Sequence, residues 1–317
     1  MLNFIRNMFS QKKNILESHN DLVNNLESSV ALPLINPDNF SVWIKKIVFS
    51  DDSTVLVNQH DFIIIVGANN VGKSVTLKDI NSLLISKESD TKVVKSITIE
   101  GNYDKASIIK HINLISRQTA GTYTSGGYYE GFGFSVSKST IEFSTENFER
   151  GFSDLVPTIT YLLSTENRLT ISNPPKNIRP TTQAATHPIH HLLIDERLEL
   201  KFSQYFRQAF GTDLLVHRQA GEIVPLYVGN KPDIEEGEDR ASLSYILKLE
   251  QLQPLQIQGD GMRSFVGVLL SAFIFNQKIL FIDEPEAFLH PPQARLLGKM
   301  LAKNTPSDKQ FILTTHS

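Results

Sequence analysis

The chain contains no cysteine and only one tryptophan. The first absence excludes disulfides, thiolate zinc sites and cysteine nucleophiles, and it fits a reducing compartment. Long apolar runs are missing too. No stretch approaches the roughly 18–20 residues of a membrane span, and the opening MLNFIRNMFSQKK has too short an apolar segment for a secretory signal. Neither sign of charge dominates: 31 Lys+Arg against 34 Asp+Glu leave a net charge of −3. A strongly basic protein is excluded, and any nucleic-acid contact would have to use a local patch. These absences predict a soluble, cytoplasmic protein with no membrane partner. What the chain does have is 317 residues, 40 % of them hydrophobic. That suffices for one large core or two modest ones, as in an α/β domain with a sizeable insertion.

The most informative segment is GANNVGKS, Gly67 to Ser74. Phe62, Ile63, Ile64, Ile65 and Val66 form an apolar, β-branched run into it, as a buried parallel strand should. Gly67 and Gly72 let the backbone wrap, so that the amides of Ala68, Asn69, Asn70 and Val71 can point inward at a β-phosphate. A helix from about Lys73 adds its unpaired amides and positive dipole end. Lys73 can reach the β/γ oxygens, and the Ser74 hydroxyl suits Mg²⁺, which prefers hard oxygen ligands. The bland alternative is a glycine turn between strand and helix with an exposed lysine.

Residues 1–40 are read as an N-terminal helical extension, with Leu2, Ile5 and Phe9 on one helical face and Phe4 and Met8 beside them. SVWIKKIVFS and STVLVNQ predict a meander before the phosphate-loop strand, and KVVKSITIEGN a further strand. About residues 94–152 read as an inserted β subdomain, whose turn-rich TAGTYTSGGYYEGFGF predicts hairpins. Tyr123, Tyr128, Tyr129 and Phe132 there suit strand-face packing better than base stacking. PTITYLLSTENRL predicts a strand returning to the core, and about 169–257 a polar, mostly helical lobe. His187, His190 and His191 have no carboxylate or cysteine at ligand spacing, which disfavours a zinc site.

Ile279, Leu280, Phe281 and Ile282 lead straight into Asp283 and Glu284, so a buried strand delivers two carboxylates at its carboxyl end, where ligands sit in open α/β sheets. Asp283 would hold Mg²⁺, and Glu284 would polarise the water that attacks a γ-phosphate. An ordinary strand followed by a helix starting at Pro285 is the alternative for this segment alone. Asp260 is expected to cap a helix starting near Gly261. The final run KQFILTTHS predicts one more buried strand, bringing His316 to the same edge.

Together these segments resemble the ATPase head shared by ABC proteins, SMC-type proteins and the overcoming-lysogenization-defect family, over about residues 41–317. The resemblance implies an α/β P-loop NTPase of ABC-ATPase type, with a mixed core sheet, an antiparallel β subdomain and a helical lobe. It implies ATP and Mg²⁺ as ligands and a homodimer that sandwiches two ATPs. Gly72, Lys73 and Ser74 match the Walker A positions, Asp283 and Glu284 the Walker B pair, Gly261 the signature glycine and His316 the switch histidine. Lys73, Glu284 and His316 would be the catalytic residues, and Ser74 and Asp283 the metal ligands. Asp260 stands where transporters carry the signature serine, which argues against a transporter subunit. Glu166 to Arg168 are the favoured Q-loop equivalent over Gln118, making Arg168 a candidate nucleotide contact and equally a candidate salt-bridge partner. The phrase EPEAFLHPPQARLL is similar to stand-alone ATPases of bacterial anti-phage systems. The resemblance therefore implies a partner effector, a nuclease. The alternatives are a non-turnover, ATP-bound regulatory scaffold and an SMC-like DNA-repair clamp. Heads of this kind continue past the position of His316, so a fragment, or completion by another polypeptide, is expected.

Overall fold

The structure, a computed structural model, describes residues 3–6, 40–119, 127–146, 148, 151–306 and 308–316. Strands β1 (Asn3–Arg6), β2 (Ser41–Phe49), β3 (Thr54–Leu56) and β4 (Phe62–Val66) precede α1 (Lys73–Ile85). Next come β5 (Val94–Asn102), α2 (Lys105–Ile115), β6 (Ser116–Thr119), β7 (Tyr128–Gly131), β8 (Phe134–Ser137) and α3 (Lys138–Glu146). Then come α4 (Val156–Ile159), β9 (Thr160–Leu163), α5 (Asn167–Thr170), α6 (Pro188–Ile194) and α7 (Glu196–Phe210). They are followed by β10 (Asp213–Val216), β11 (Leu226–Gly229), α8 (Leu243–Leu249) and β12 (Gln253–Pro254). Last are α9 (Asp260–Ile274), β13 (Ile279–Asp283), α10 (Pro291–Asn304) and β14 (Gln310–Thr315).

The apolar runs form a mixed sheet in the order β1-β4-β14-β13-β9. β4, β14, β13 and β9 are parallel, and β1 is antiparallel on the β4 edge. Parallel strands are buried on both faces, which is why β13 and β14 have no polar alternation. Their period of two instead divides the apolar residues between two cores. Ile63, Ile65, Ile279, Phe281 and Ile312 face one core, packed by Leu77, Ile80, Leu83 and Leu84 of α1 and by Val42, Ile44, Ile47 and Phe49 of β2. Leu280, Ile282, Phe311 and Leu313 face the other, packed by α6, α7, α9 and α10. The sheet β3-β2-β5 is antiparallel, as the predicted meander requires. Buried Gln310 bonds it to the core sheet, accepting from Ile44 N–H at 3.0 Å and donating to Ile44 O at 2.9 Å and Asn58 O at 3.1 Å.

The predicted hairpins form the sheet β6-β7-β8, and Gln118 lies on β6. Tyr129 is buried in the first core, and Phe132 stacks on Phe275 at 3.9 Å between centroids, whereas Tyr123 lies outside the described residues. Two expectations are corrected. Residues Asn3–Arg6 form a strand and not part of a helix; Leu2, Met8 and Phe9 lie outside the described residues. Residues 169–257 are not mostly helical, because β10, β11 and β12 build a third antiparallel sheet there. All four residues of β10 are buried, so this short strand lacks the alternation that would separate it from a helix by sequence.

α9 packs on α5 backbone against backbone at Gly267. A Cβ there would stand 2.1 Å from the carbonyl oxygen of Arg168. Alanine is the better helix former by about 1 kcal/mol, but overpacking against main chain costs about 1–3 kcal/mol or more. Gly267→Ala is therefore expected to destabilise the protein despite its helix propensity. An unchanged urea midpoint would contradict the close approach.

Candidate functional site

β4 stops at Val66, and the loop that follows keeps Ala68, Asn69, Asn70 and Val71 exposed. The turn needs a left-handed residue before the helix, which Gly72 supplies with φ +94°. Lys73 is buried, and its Nζ donates to Gly67 O and Ala68 O, both at 2.9 Å. It also lies 3.5 Å from Glu284 Oε1. Ser74 Oγ donates to Asp283 Oδ1 at 2.9 Å. The two halves of the predicted phosphate and metal site, 209 positions apart in sequence, therefore meet.

Parallel register brings the third segment to the same edge. Asp283 pairs with Thr314 and Val66 with Thr315, and Gly67 N–H donates to Thr315 O at 3.3 Å. Thr314 Oγ1 is a second donor to Asp283 Oδ1. Glu284 has a left-handed backbone, φ +46°, a conformation rare for a residue with a side chain. It is held there by its own N–H, which lies 3.0 Å from Thr314 O and 3.1 Å from Thr314 Oγ1. No helix begins at Pro285, since the next helix starts at Pro291.

Arg168, a candidate nucleotide contact or salt-bridge partner by sequence, bonds main-chain carbonyls beside the carboxylate pair. It is wholly buried, and its guanidinium donates to Glu284 O and Asp283 O at 2.5 Å each and to Thr165 Oγ1 at 2.9 Å. Burial pushes the guanidinium down to about 10, an effect opposed by the charges of Asp283, Glu286 and Glu284. It stays cationic at neutral pH and supports the carboxylate pair from beneath. Glu286, which the sequence did not single out, accepts from Thr315 Oγ1 at 2.6 Å, and its Oε1 lies 3.0 Å from His316 Nδ1.

Asp260 is also corrected. The helix starts at Asp260 itself with Gly259 at the cap position and no side-chain cap, and Asp260 instead pairs with Arg263 at 3.2 Å. Gly261 has a packing reason within its own chain, because a Cβ would come within 2.9 Å of Phe288 O. Among the described residues, neither Asp260 nor Gly261 has a hydrogen bond to the phosphate loop. His187 Nδ1 accepts from Ile189 N–H at 3.2 Å, and His190 Nε2 lies 2.8 Å from Lys176 O. Among the described residues no cluster of three His, Asp or Glu side chains could hold a metal, and no helix is long and apolar enough to cross a membrane.

The family described as "AAA domain, putative AbiEii toxin, Type IV TA system" matches residues 62–317. The chain belongs to that family. The matched model describes an AAA domain, and the core sheet displays the α/β fold of a P-loop NTPase. Among solved structures, an SMC head bound to the C-winged helix domain of ScpA is similar at 12 % identity, covering 87 % of this chain and 90 % of that one with a TM-score of 0.49. The SMC head domain from Thermotoga maritima is 16 % identical over 86 % and 89 % of the two chains, with a TM-score of 0.40. The cbiO1 protein of Clostridium perfringens, part of the ABC transporter complex cbiONQ, is 14 % identical over 89 % and 80 %, with a TM-score of 0.31. No curated protein matches the chain. P-loop ATPases of this kind use nucleotide with Mg²⁺, and the donor set of this member fits both. Ser74 and Asp283 offer hard oxygens already in contact, and Lys73 lies beneath an exposed loop of backbone amides.

Two expectations can be measured without nucleotide. Replacing Arg168 by Met would leave two half-buried carbonyls without their charged donor, at about 1.5–3 kcal/mol each. The denaturation free energy should fall by several kcal/mol, and a loss below about 1 kcal/mol would contradict the buried clamp. Burial lowers His187 from 6.5 to about 3 and His191 from 6.5 to about 4. Unfolded chains take up protons at these rings as pH falls through 6.5, whereas the folded protein does not until near pH 4. Their stabilisation is complete above pH 6.5 and declines below it, by about 2 kcal/mol per ring between pH 7 and 5. His187→Gln should flatten that slope in denaturation midpoints. A slope identical to wild type would refute the assignment.

Proposed function

We propose that this chain binds and hydrolyses ATP with Mg²⁺, closes as a homodimer around two ATPs, and thereby controls a partner effector, a nuclease, in defence against phage. The observation that carries the reading is the convergence of Lys73 with Glu284 and of Ser74 with Asp283 at the carboxyl ends of parallel strands. In this reading the amides from Gly67 to Gly72 and the Lys73 ammonium hold the β- and γ-phosphates. Ser74 and Asp283 hold Mg²⁺, which when bound neutralises charge on the phosphate oxygens. Glu284 orients the attacking water and takes its proton, and His316 faces the γ-phosphate. Asp260 and Gly261 at the start of α9 meet the nucleotide held by the second copy. The defence setting is supported by the family description, which names a type IV toxin–antitoxin system. The choice of a nuclease rests on the resemblance to the overcoming-lysogenization-defect family, whose heads carry fused nuclease domains.

Glu284→Gln keeps the size of the side chain and removes the base. Phosphate release should fall by about 100-fold or more, while light scattering with Mg²⁺ and ATP should show a dimer that persists longer than in wild type. Turnover unchanged by the substitution would remove Glu284 from the mechanism. An ATP-independent mass with no phosphate release from wild type would favour the regulatory scaffold.

A further inference from the structure

The carboxylate of Glu286 belongs to neither Walker position, yet it gathers the end of β14 onto one oxygen. Oε1 accepts from Thr315 Oγ1 at 2.6 Å and from His316 N–H at 3.2 Å, and lies 3.0 Å from His316 Nδ1. The Glu286 side chain is 14 % exposed and that of His316 46 %. A largely enclosed acceptor therefore grips a half-open ring. Glu286 is itself fixed by consecutive turns, with Ala287 N–H on Glu284 O and Leu289 N–H on Glu286 O, both at 2.9 Å. On the other side, Thr315 O accepts from the first residue of the phosphate loop. The residue before His316 is thus tied to the phosphate loop by its carbonyl and to Glu286 by its hydroxyl.

An ionised carboxylate only accepts hydrogen bonds, so the ring nitrogen facing it must carry the hydrogen. In a histidine, the partner of one nitrogen decides the state of the other. With Nδ1–H directed at Glu286, Nε2 is left on the opposite side of the ring, free to meet a ligand. We propose that Glu286 is the positioning residue for His316: it fixes the Nδ1–H tautomer and presents Nε2 to the γ-phosphate end of a nucleotide held at Lys73. The nucleotide half of this inference rests on the ATPase reading above, whereas the tautomer does not.

The test is a long-range ¹H–¹⁵N correlation spectrum of the histidine-labelled protein, without nucleotide, at a pH where the ring is neutral. His316→Asn assigns the signals. Wild type should show His316 with hydrogen on Nδ1, Glu286→Ala should move it to Nε2, and Glu286→Gln, whose amide oxygen still accepts, should retain Nδ1–H. With Mg²⁺ and ATP, Glu286→Ala should lower kcat about tenfold, the low end of the losses seen when the carboxylate partner of a metal-bound histidine is removed, with KM within about twofold. Glu286→Gln should recover most of that loss. A wild-type ring with hydrogen on Nε2, or a tautomer unaltered by Glu286→Ala, overturns the proposal. So does a kcat unaltered by Glu286→Ala in an active wild type. If Glu286→Ala does not fold, the wild-type and Glu286→Gln spectra decide. A fixed Nδ1–H ring in a wild type without turnover would overturn the ATPase reading and leave the Glu286–His316 contact standing.

Discussion

The register of β4, β14 and β13 is the constraint on which the site depends. Asp283 stands opposite Thr314, and Thr315 opposite Val66, so three strand ends distant in sequence terminate at one level. A slip of one residue would turn every side chain to the opposite face of the sheet. It would exchange the two cores and carry Asp283 away from Ser74. The apolar alternation that assigns Phe281 to one core and Ile282 to the other therefore also sets the chemistry at the strand ends. Burial of these side chains supplies the specificity that the few polar contacts could not supply alone.

Around that edge, contacts fall into two groups. Polar side chains from neighbouring elements meet, as Ser74 of α1 and Thr314 of β14 do on Asp283 Oδ1. Main-chain carbonyls are held from below by Arg168. The left-handed backbone of Glu284 lies between the two groups. Its cost of order 1–3 kcal/mol is offset by the bonds to Thr314 and by the Arg168 clamp, so the carboxylate is aimed by the main chain and not by rotamer choice alone. α9 packs directly on the Arg168 carbonyl through Gly267. The helix that begins at Asp260 and the strand end that carries Glu284 therefore share one support.

What was legible in the sequence follows from the range of the physics. GANNVGKS could be read because strand, glycine turn and helix start lie within a dozen residues, and Asp283 and Glu284 because an uninterrupted apolar run delivers them. Arg168 was found as a candidate, but its bonds to the carbonyls of Asp283 and Glu284 could not be read, since those acceptors lie more than a hundred positions away and carry no residue identity. Glu286 gave no signal, because its meaning depends on β14 passing beside the turn. Asp260 looked like a cap by composition, and the helix began one residue earlier. β10 escaped because a four-residue strand buried on both faces has the same apolar pattern as a helix segment.

Lys73 in this structure is satisfied by the carbonyls of its own loop, Gly67 O and Ala68 O. On the proposed ATPase reading, a phosphate entering the loop meets a cation already occupied and must compete for it. The affinity of the loop for nucleotide is a difference between two sets of charge-assisted bonds, and it understates the strength of either. The same two bonds tie the first residues of the loop to the head of α1.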